Sequence, residues 1–274
     1  MSVAFDHLMV LVADEVAAAR EFSEAGFAVT PRSELPGMAN RLICFPSDAP
    51  YAASFIELLS VEQPDTVPSA IRKLVGQTLG PMAIVFAVPD MDACQRMLAQ
   101  SGVAVAGPLE IKRRWMLPSG QTLDVALDVV IGDERALPFK WVIVKHHTVG
   151  HYQRAEFTAH ANGCRGIKAV VVSVEDPMRA AETMECILRC GYRHVGACAV
   201  IDLQNVSLVL IPDTAGLRRK SHGWSAIAGV ALLGGSVESD IDDLAHKLSE
   251  RTHDGSGASI ELSGLRLFPH AKDR

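Results

Sequence analysis

Hydrophobic and polar positions change their period several times along the chain, and the first change predicts a strand followed by a helix. Phe5–Val12 is rich in Val and Leu and alternates loosely, which is typical of a strand. Asp14 then precedes Val16–Ala25, whose apolar residues recur at helical spacing. Gly26 is a natural helix stop, because glycine adopts a positive φ at no steric cost. Phe27–Thr30 follows and is predicted to form a second strand.

The same pattern returns three more times, the last time faintly. The spacing from Asp14 to Gly26 equals the spacing from Asp90 to Gly102, so the first two copies align without a gap. Asp176 caps the helix of the third copy in the same way. After the first copy, the repeated elements are predicted at Met82–Val88, Met91–Gln100, Val103–Ala106, Ala169–Val174, Pro177–Leu188, Tyr192–Val195, Ala226–Leu233 and Ser239–Glu250, with Ser236 or Ser239 as the last cap.

Further strands lie between the repeated helices, so each copy is a β-α-β-β-β unit. They are predicted at Asn40–Phe45, Ser54–Ser60, Ile111–Trp115, Leu123–Val130, Lys140–His146, Ala197–Ile201, Val206–Ile211, Ile260–Leu262 and Arg266–Phe268. One unit leaves one face of its sheet open, and two units together make a curved sheet around a shared cavity. We therefore predict an α+β fold of four βαβββ units, forming two curved, cavity-enclosing mixed sheets flanked by helices. Residues 1–160 would form the first pair of units and residues 161–274 the second.

Composition and charge narrow the classes of partner. The formal net charge of -6 offers no basic face for nucleic acid. The short basic runs Lys112–Arg114 and Arg218–Lys220 are interpreted as solvated loops. No signal peptide opens the sequence, and no apolar stretch approaches the ~20 residues that span a bilayer. The cysteines lack Cys-x-x-Cys spacing, which favours a reduced, cytoplasmic protein. Together with the charge and the short apolar stretches, this predicts a protein that binds neither nucleic acid nor membrane.

Local motifs resemble the glyoxalase-like family of the vicinal oxygen chelate superfamily. This superfamily includes glyoxalase I, extradiol dioxygenases and bleomycin-resistance proteins. The similar segments are the first strand Phe5–Val12, the second-strand motif Gly26–Ser33, Met38–Asn40, Phe55–Val61, His146–Thr148 and His160–Gly163. The resemblance covers the whole chain, more closely over residues 1–175 than beyond. It implies the four-unit fold predicted above.

The chain departs from the family pattern at two places. Val149 and Gly150 stand where Pro-Glu is expected, and Arg41 stands where a His is common. These departures allow the hypothesis that the protein acts on a different substrate from its relatives or has lost their reaction.

His7 and Glu57 are the first candidates for chemistry. The resemblance implies that their strands are neighbours, so that the two side chains could ligate one divalent metal. A carboxylate between Ile56 and Leu58 needs a partner, which a metal, an Arg or a His could supply. The alternative is a hydrogen-bonded His7–Glu57 pair without metal. The repeat places Ala83 and Ala169 at the His7 position, so the fold itself does not require a histidine there.

A third metal ligand is expected from the second unit. The family pattern favours His146, and His147 is the fallback because adjacent residues of a strand face opposite ways. With His7 and Glu57, His146 would complete a 2-His-1-carboxylate site for Zn, Ni, Mn or Fe.

Other side chains are candidates to line the pocket. An Arg could grip a substrate carboxylate, and a Trp could cover an apolar substrate. The candidates for substrate binding are Asn40, Arg114, Trp115, His147 and Arg154. His160 is expected to shape the connection between the halves, because the following Asn-Gly favours a tight turn.

These residues favour a metal-dependent enzyme of lyase or isomerase type acting on a small oxygenated metabolite, with Glu57 or a bound water as the proton shuttle. An Fe(II)-dependent oxygenase and a non-catalytic protein that sequesters a drug or metabolite are the alternatives, and an interaction module that keeps only the fold is a third. Residues 166–270 hold no comparable set of ligands. They are interpreted as a structural pair of units or a dimerisation surface, in which case the protein would be a homodimer.

Overall fold

The computed structural model describes residues 2–213, 226–234, 241–250, 260–262 and 265–268. The helices are α1 (Glu15–Glu24), α2 (Ser69–Val75), α3 (Met91–Gln100), α4 (Ala155–Thr158), α5 (Pro177–Leu188) and α6 (Ile241–Glu250). The strands are β1 (Ala4–Leu11), β2 (Ser33–Leu35), β3 (Met38–Cys44), β4 (Phe55–Val61), β5 (Gly80–Ala87), β6 (Val105–Met116), β7 (Thr122–Gly132), β8 (Lys140–His146), β9 (Cys164–Val174), β10 (Tyr192–Val195), β11 (Cys198–Asp202), β12 (Ser207–Pro212), β13 (Ile227–Gly234), β14 (Ile260–Leu262) and β15 (Leu265–Phe268). The predicted cap at Ser236 or Ser239 and the basic run at 218–220 lie outside these described residues.

Aspartate caps start the helices of the first three units, as the repeat predicts. The Asp14 side chain accepts hydrogen bonds from the backbone N–H groups of the first turn of α1. Asp90 and Asp176 do the same for α3 and α5. Each cap satisfies donors that a helix leaves unpaired at its N-terminus, which explains why the helix begins there.

The first two units close into one barrel with the strand order β1-β4-β3-β2-β6-β7-β8-β5. β1 pairs in parallel with β4 and antiparallel with β5, while β5 pairs in parallel with β8. The third and fourth units form a second sheet with the order β10-β11-β12-β9-β13-β15-β14. The predicted α+β fold of curved, cavity-enclosing sheets is confirmed.

Three predicted strands differ from the structure. Phe27–Thr30 is irregular, and the second strand is instead β2. Thr30 is hydrogen-bonded to Leu42 of β3 instead of forming a regular strand ladder. Its N–H donates to the Leu42 carbonyl, and its hydroxyl accepts from the Leu42 N–H. In the second unit the two predicted strands merge into the long β6, with a register shift between Ala106 and Leu109 in its pairing with β7.

The barrel and the second sheet share one hydrophobic core. Its buried side chains come from the barrel, from α1, α3 and α5, and from β9, β11 and β12. Among them are Phe22 on α1, Ile84 on β5 and Val172 on β9. The two pairs of units are therefore packed together through the faces that point away from the barrel interior.

In the second sheet, α6 covers the face that corresponds to the barrel interior. Ala169 occupies the repeat position of His7, and it packs in a buried cluster with Ile241, Ala245 and Leu248 of α6. Val209 occupies the repeat position of Glu57, because it pairs with Val171 as Glu57 pairs with Met9 in the barrel. Both valines belong to the same buried cluster. In the described part of this half, apolar side chains of α6 thus occupy the space that corresponds to the barrel cavity. Over the same residues, no helix has the length and apolar character that a membrane crossing requires.

Replacing one of these helix side chains should destabilise the protein. We expect Leu248→Ala to lower the free energy of unfolding by about 2–5 kcal/mol, because a side chain that is 1% exposed would leave a cavity. Leu79→Ala is the matched control: Leu79 is 53% exposed, so its loss should change stability by about 0.5 kcal/mol or less. Urea denaturation of the two variants measures both values. Equal effects would show that α6 does not pack against the second sheet in solution.

Candidate active site

The barrel interior contains a cavity with a mostly aliphatic wall. Its volume of about 80 Å³ is several times the roughly 10–15 Å³ that one water molecule requires. The polar lining side chains are His7, Glu57, Arg113, His146 and Tyr152. The apolar lining side chains are Met9, Leu35, Met38, Phe55, Leu59, Ile71, Leu74, Val85, Ile111, Leu127, Val129, Ile131, Val142 and Val144.

One buried carboxylate, that of Asp6, holds two histidines. Its Oδ1 accepts a hydrogen bond from His7 Nδ1 at 2.6 Å, and its Oδ2 accepts one from His146 Nε2 at 2.8 Å. Oδ2 also accepts from the Ala53 N–H at 2.9 Å. Because a carboxylate can only accept, each imidazole must carry its proton on the nitrogen that faces Asp6. This leaves Nε2 of His7 free to face the cavity, while Nδ1 of His146 is buried without a hydrogen-bond partner.

Sequence reasoning missed Asp6, because adjacent residues of a regular strand point to opposite faces. The β1–β5 ladder has a register shift between Phe5 and His7, so Asp6 has no partner residue on β5. Such a bulge re-aims a side chain. The carboxylate of Asp6 therefore reaches the same site as the neighbouring imidazole. A bulge of this kind has no signal in the hydrophobic pattern.

His7 and Glu57 face each other at the cavity wall. The His7 ring stacks on Phe55 with ring centroids 4.2 Å apart, which fixes its orientation. His7 Nε2 lies 3.5 Å from Glu57 Oε2, longer than a normal hydrogen bond. Asn40, one of the predicted pocket residues, donates a short hydrogen bond to Glu57 Oε1. Oε2 is thus the carboxylate oxygen that remains available to a bound molecule.

The charges of this group stabilise one another. Burial alone would raise the pKa of Asp6, but His146 and His7 outweigh it and hold this pKa well below 3.8. Burial would lower the pKa of His7, yet the two carboxylates raise it above 6.5. Burial would likewise raise the pKa of Glu57, but His7, Arg113 and Asn40 lower it below 4.5. A protonated His7 in this arrangement lies between two carboxylates, an acid and a base side by side.

Arg113, and not the predicted Arg114, enters the cavity. Arg113 Nη2 donates to the Tyr152 hydroxyl at 3.3 Å, and its guanidinium carbon lies 5.2 Å from the Trp115 ring centroid. Arg114 is exposed and pairs with Asp124 at 2.9 Å. The basic run at 112–114 is therefore not a solvated loop but part of β6, whose alternation sends the middle residue inward.

The remaining predicted pocket residues lie around the cavity, not on its wall. Trp115 is fully buried behind Tyr152 and Phe157, which it meets edge-on. His147 is exposed and pairs with Asp128 at 3.0 Å, while Arg154 pairs with Glu156 at 2.7 Å. None of these three side chains lines the barrel cavity.

Tyr152 and His160 have defined positions as well. Tyr152 was missed because it lies outside every strand, in the connection after β8, and it stacks on Phe55. His160 accepts from the Ala28 N–H and donates to the Cys44 carbonyl, so its ring holds the end of the second unit against the first.

Comparison with known proteins identifies relatives of the fold. The sequence model of the glyoxalase-like domain matches residues 5–188. No curated protein matches the chain significantly. Among solved structures, a hypothetical protein from Staphylococcus aureus is 13% identical, with a TM-score of 0.67 over 98% of this chain and 100% of its own. A variant of methylmalonyl-CoA epimerase from Streptomyces coelicolor is 21% identical, with a TM-score of 0.40 over 53% of this chain and 97% of its own. The epimerase from Mycobacterium tuberculosis is 20% identical, with a TM-score of 0.36 over 52% and 86%.

The sequence resemblance implies a divalent metal held by His7, Glu57 and His146. His7 Nε2 and Glu57 Oε2 are separated by a distance that two ligands of one ion can have. The third predicted ligand, His146, directs Nε2 to Asp6 instead. In the described ranges of the chain, no group of three or more His, Cys, Asp or Glu side chains is placed to hold an ion.

The second unit offers no replacement for the missing donor. Its positions equivalent to His7 and Glu57 are Ala83 and Val142, and neither side chain can ligate a metal. Stable sites for Zn and similar ions use three or more protein donors. The residues present therefore do not fit a resident divalent metal in this arrangement.

The role of Asp6 can be tested by removing its charge alone. We expect Asp6→Asn to lower the pKa of His7, because burial then opposes protonation with only Glu57 to offset it. NMR titration of the imidazole protons measures this pKa. Asp128→Asn, the same change beside the exposed His147, is the control and should leave the His7 titration unchanged. An unchanged His7 pKa in Asp6→Asn would contradict the assigned role.

Proposed function

Because this chain belongs to the glyoxalase-like domain family of the vicinal oxygen chelate superfamily, we propose that its barrel cavity is the active site of an enzyme of lyase or isomerase type. The enzyme would move a proton on a small oxygenated metabolite. The observation that carries this proposal is the Asp6–His7–Glu57 chain at the wall of a mostly apolar cavity. An imidazolium and a carboxylate placed side by side supply the acid and the base of such a reaction.

Glu57 is the base in this proposal. In the empty cavity His7 keeps the pKa of Glu57 low, while burial acts in the opposite direction and is the largest single influence. A substrate that enters between the two side chains separates Glu57 from His7 and leaves burial to raise the proton affinity of the carboxylate. Asn40 holds Oε1, so Oε2 takes the proton.

His7 is the acid. Glu57 Oε2 removes a proton from the carbon next to a carbonyl group, and the electron pair of that C–H bond moves to the carbonyl oxygen. The Nε2–H of His7 donates its proton to this oxygen, and Asp6 stabilises the ring in its orientation through Nδ1. His7 Nε2 then takes the proton back from the enol oxygen as the carbonyl group re-forms. In an isomerase the electron pair shifts a conjugated double bond, and the carbon at its far end takes the proton from Glu57. In a lyase the electron pair expels a leaving group from the next carbon, and the leaving group takes that proton.

A metabolite-sequestering protein is the second candidate, and the aliphatic wall of the cavity favours it. In that case the cavity would bind its ligand tightly while Glu57 performs no proton transfer. An Fe(II)-dependent oxygenase would need the metal site that the donors do not form.

Proton transfer is measured by exchange in D₂O. We expect the protein to incorporate deuterium next to the carbonyl group of at least one member of a panel of small aldehydes, ketones and oxo acids, followed by NMR. Glu57→Gln should slow this exchange by about 10²–10⁴-fold, since the general base is lost. Asp128→Asn removes an exposed carboxylate and should leave the rate unchanged. Exchange that persists in Glu57→Gln would overturn the assignment, and binding without any exchange would favour the sequestering protein.

Metal content tests the metal prediction made from the sequence. Protein purified without added metal should contain far less than one equivalent of Zn, Ni, Mn or Fe, because no three His, Cys, Asp or Glu side chains of the described residues are placed to hold one ion. Elemental analysis by plasma mass spectrometry gives the content. One equivalent that disappears in His7→Ala, Glu57→Ala and His146→Ala would instead establish the predicted ligand set and overturn the metal-free reaction.

A further inference from the structure

Arg113 is the one cation on the cavity wall whose hydrogen-bonding capacity is largely unused in the described structure. Of its five N–H donors, one on Nη2 reaches the Tyr152 hydroxyl, and the buried Nε has no partner. Beneath the guanidinium lies the face of Trp115, which offers no acceptor atom. Around it the cavity wall is aliphatic.

The other arginines provide a comparison within the same chain. Seven of them lie within 4.0 Å of a carboxylate oxygen: Arg20, Arg32, Arg41, Arg114, Arg135, Arg154 and Arg193. Arg113 forms no ion pair within that distance among the described residues, although it is less exposed than Arg20, Arg114 or Arg135. Glu57 acts on it electrostatically from farther away. A guanidinium in apolar surroundings without a direct counter-ion is unfavourable, and an incoming anion would relieve this.

We propose that Arg113 binds the carboxylate of the substrate, and that the substrate is a small monocarboxylic acid with an apolar carbon skeleton. This inference rests on the proposed function and names its substrate class. A guanidinium pairs with a carboxylate through two parallel hydrogen bonds, and its unused donors are available for this geometry.

The cavity also favours one negative charge over two. Arg113 is the only Lys or Arg among the lining residues of the described chain, and His7 already lies between the carboxylates of Asp6 and Glu57. A phosphate dianion would therefore lack a second cation without a counter-ion of its own. The carbon skeleton would contact the aliphatic wall. Leu35, Ile71, Ile111 and Ile131 are only partly buried, which places them toward the opening and gives an apolar chain a route outward.

Sodium hexanoate and hexanamide test this inference, because the two compounds are of equal size and differ in charge. Calorimetric titration should show that the unaltered protein binds hexanoate at least about tenfold more tightly than hexanamide, as a charge-assisted hydrogen bond predicts. Hexyl phosphate should bind more weakly than hexanoate. Equal binding of hexanoate and hexanamide, absence of hexanoate binding, or tighter binding of hexyl phosphate would overturn the proposal.

Arg113→Met should remove the preference for hexanoate while binding of hexanamide persists, which also shows that the cavity remains folded. Arg113→Lys, which keeps the charge without the planar fork, should retain part of the preference. Arg114→Met, the same change at the exposed neighbour, is the matched control and should bind hexanoate like the unaltered protein. A preference that survives in Arg113→Met, or is lost in Arg114→Met, would contradict the assignment.

Glu57→Gln separates this inference from the proposed function. The variant should bind hexanoate as tightly as the unaltered protein or more tightly, because a nearby negative charge is gone. If carboxylate binding depends on Arg113 while no compound exchanges deuterium, the substrate class stands and the enzymatic function fails. If neutral carbonyl compounds exchange through Glu57 and carboxylates do not bind, the reverse holds.

Discussion

The site depends on one buried carboxylate shared by two histidines. Asp6 belongs to β1, His146 ends β8, and β5 lies between these strands in the barrel. The Asp6 carboxylate therefore joins the first unit to the second across an intervening strand, and its bond from the Ala53 N–H adds the segment before β4. Both histidines direct a proton toward it, so the orientation of each ring follows from the same acceptor. Without this acceptor, nothing in the described contacts would fix which nitrogen of His7 faces the cavity.

The contribution of these buried ionisable groups to the stability of the fold falls at both low and high pH. The carboxyl groups of Asp6 and Glu57, the His7 imidazole and the Arg113 guanidinium lie close together in a mostly apolar space. His7 has a raised pKa in the folded state, so its contribution to stability is complete below pH 6.5 and is lost as the pH rises through the folded value. Glu57 and Asp6 have lowered values, so their contributions are present above the ordinary carboxyl range and are lost as the pH falls. The charged states that the proposed proton transfer uses are thus the states that stabilise the fold.

The sequence predicts the repeat well and the site only in part. Asp caps and Gly stops recur at equal spacing, and buried helices and strands follow from that regularity. His7 and Glu57 stand out because alanine fills the His7 position in later copies. The sequence does not predict that Asp6 and Arg113 point into the site, because the direction of each side chain depends on local strand register. A bulge in β1 turns Asp6 inward. A register shift in β6 comes before Arg113. The hydrophobic period predicts that side chains alternate between the two faces of a strand. It does not predict which face a residue takes after a bulge or register shift.

The repeat also explains why, in the first three units, the candidate site is built on the first. Two units meet in the barrel, and only the first supplies polar side chains at the paired positions, since Ala83 and Val142 stand in the second. In the third unit the same positions are Ala169 and Val209, and α6 packs against both. At the paired positions the polar side chains therefore come from one unit, while most of the cavity wall is aliphatic, and a molecule bound there must match both. A substrate with an oxygenated, charged end and a hydrocarbon remainder, the class proposed from Arg113, meets this condition.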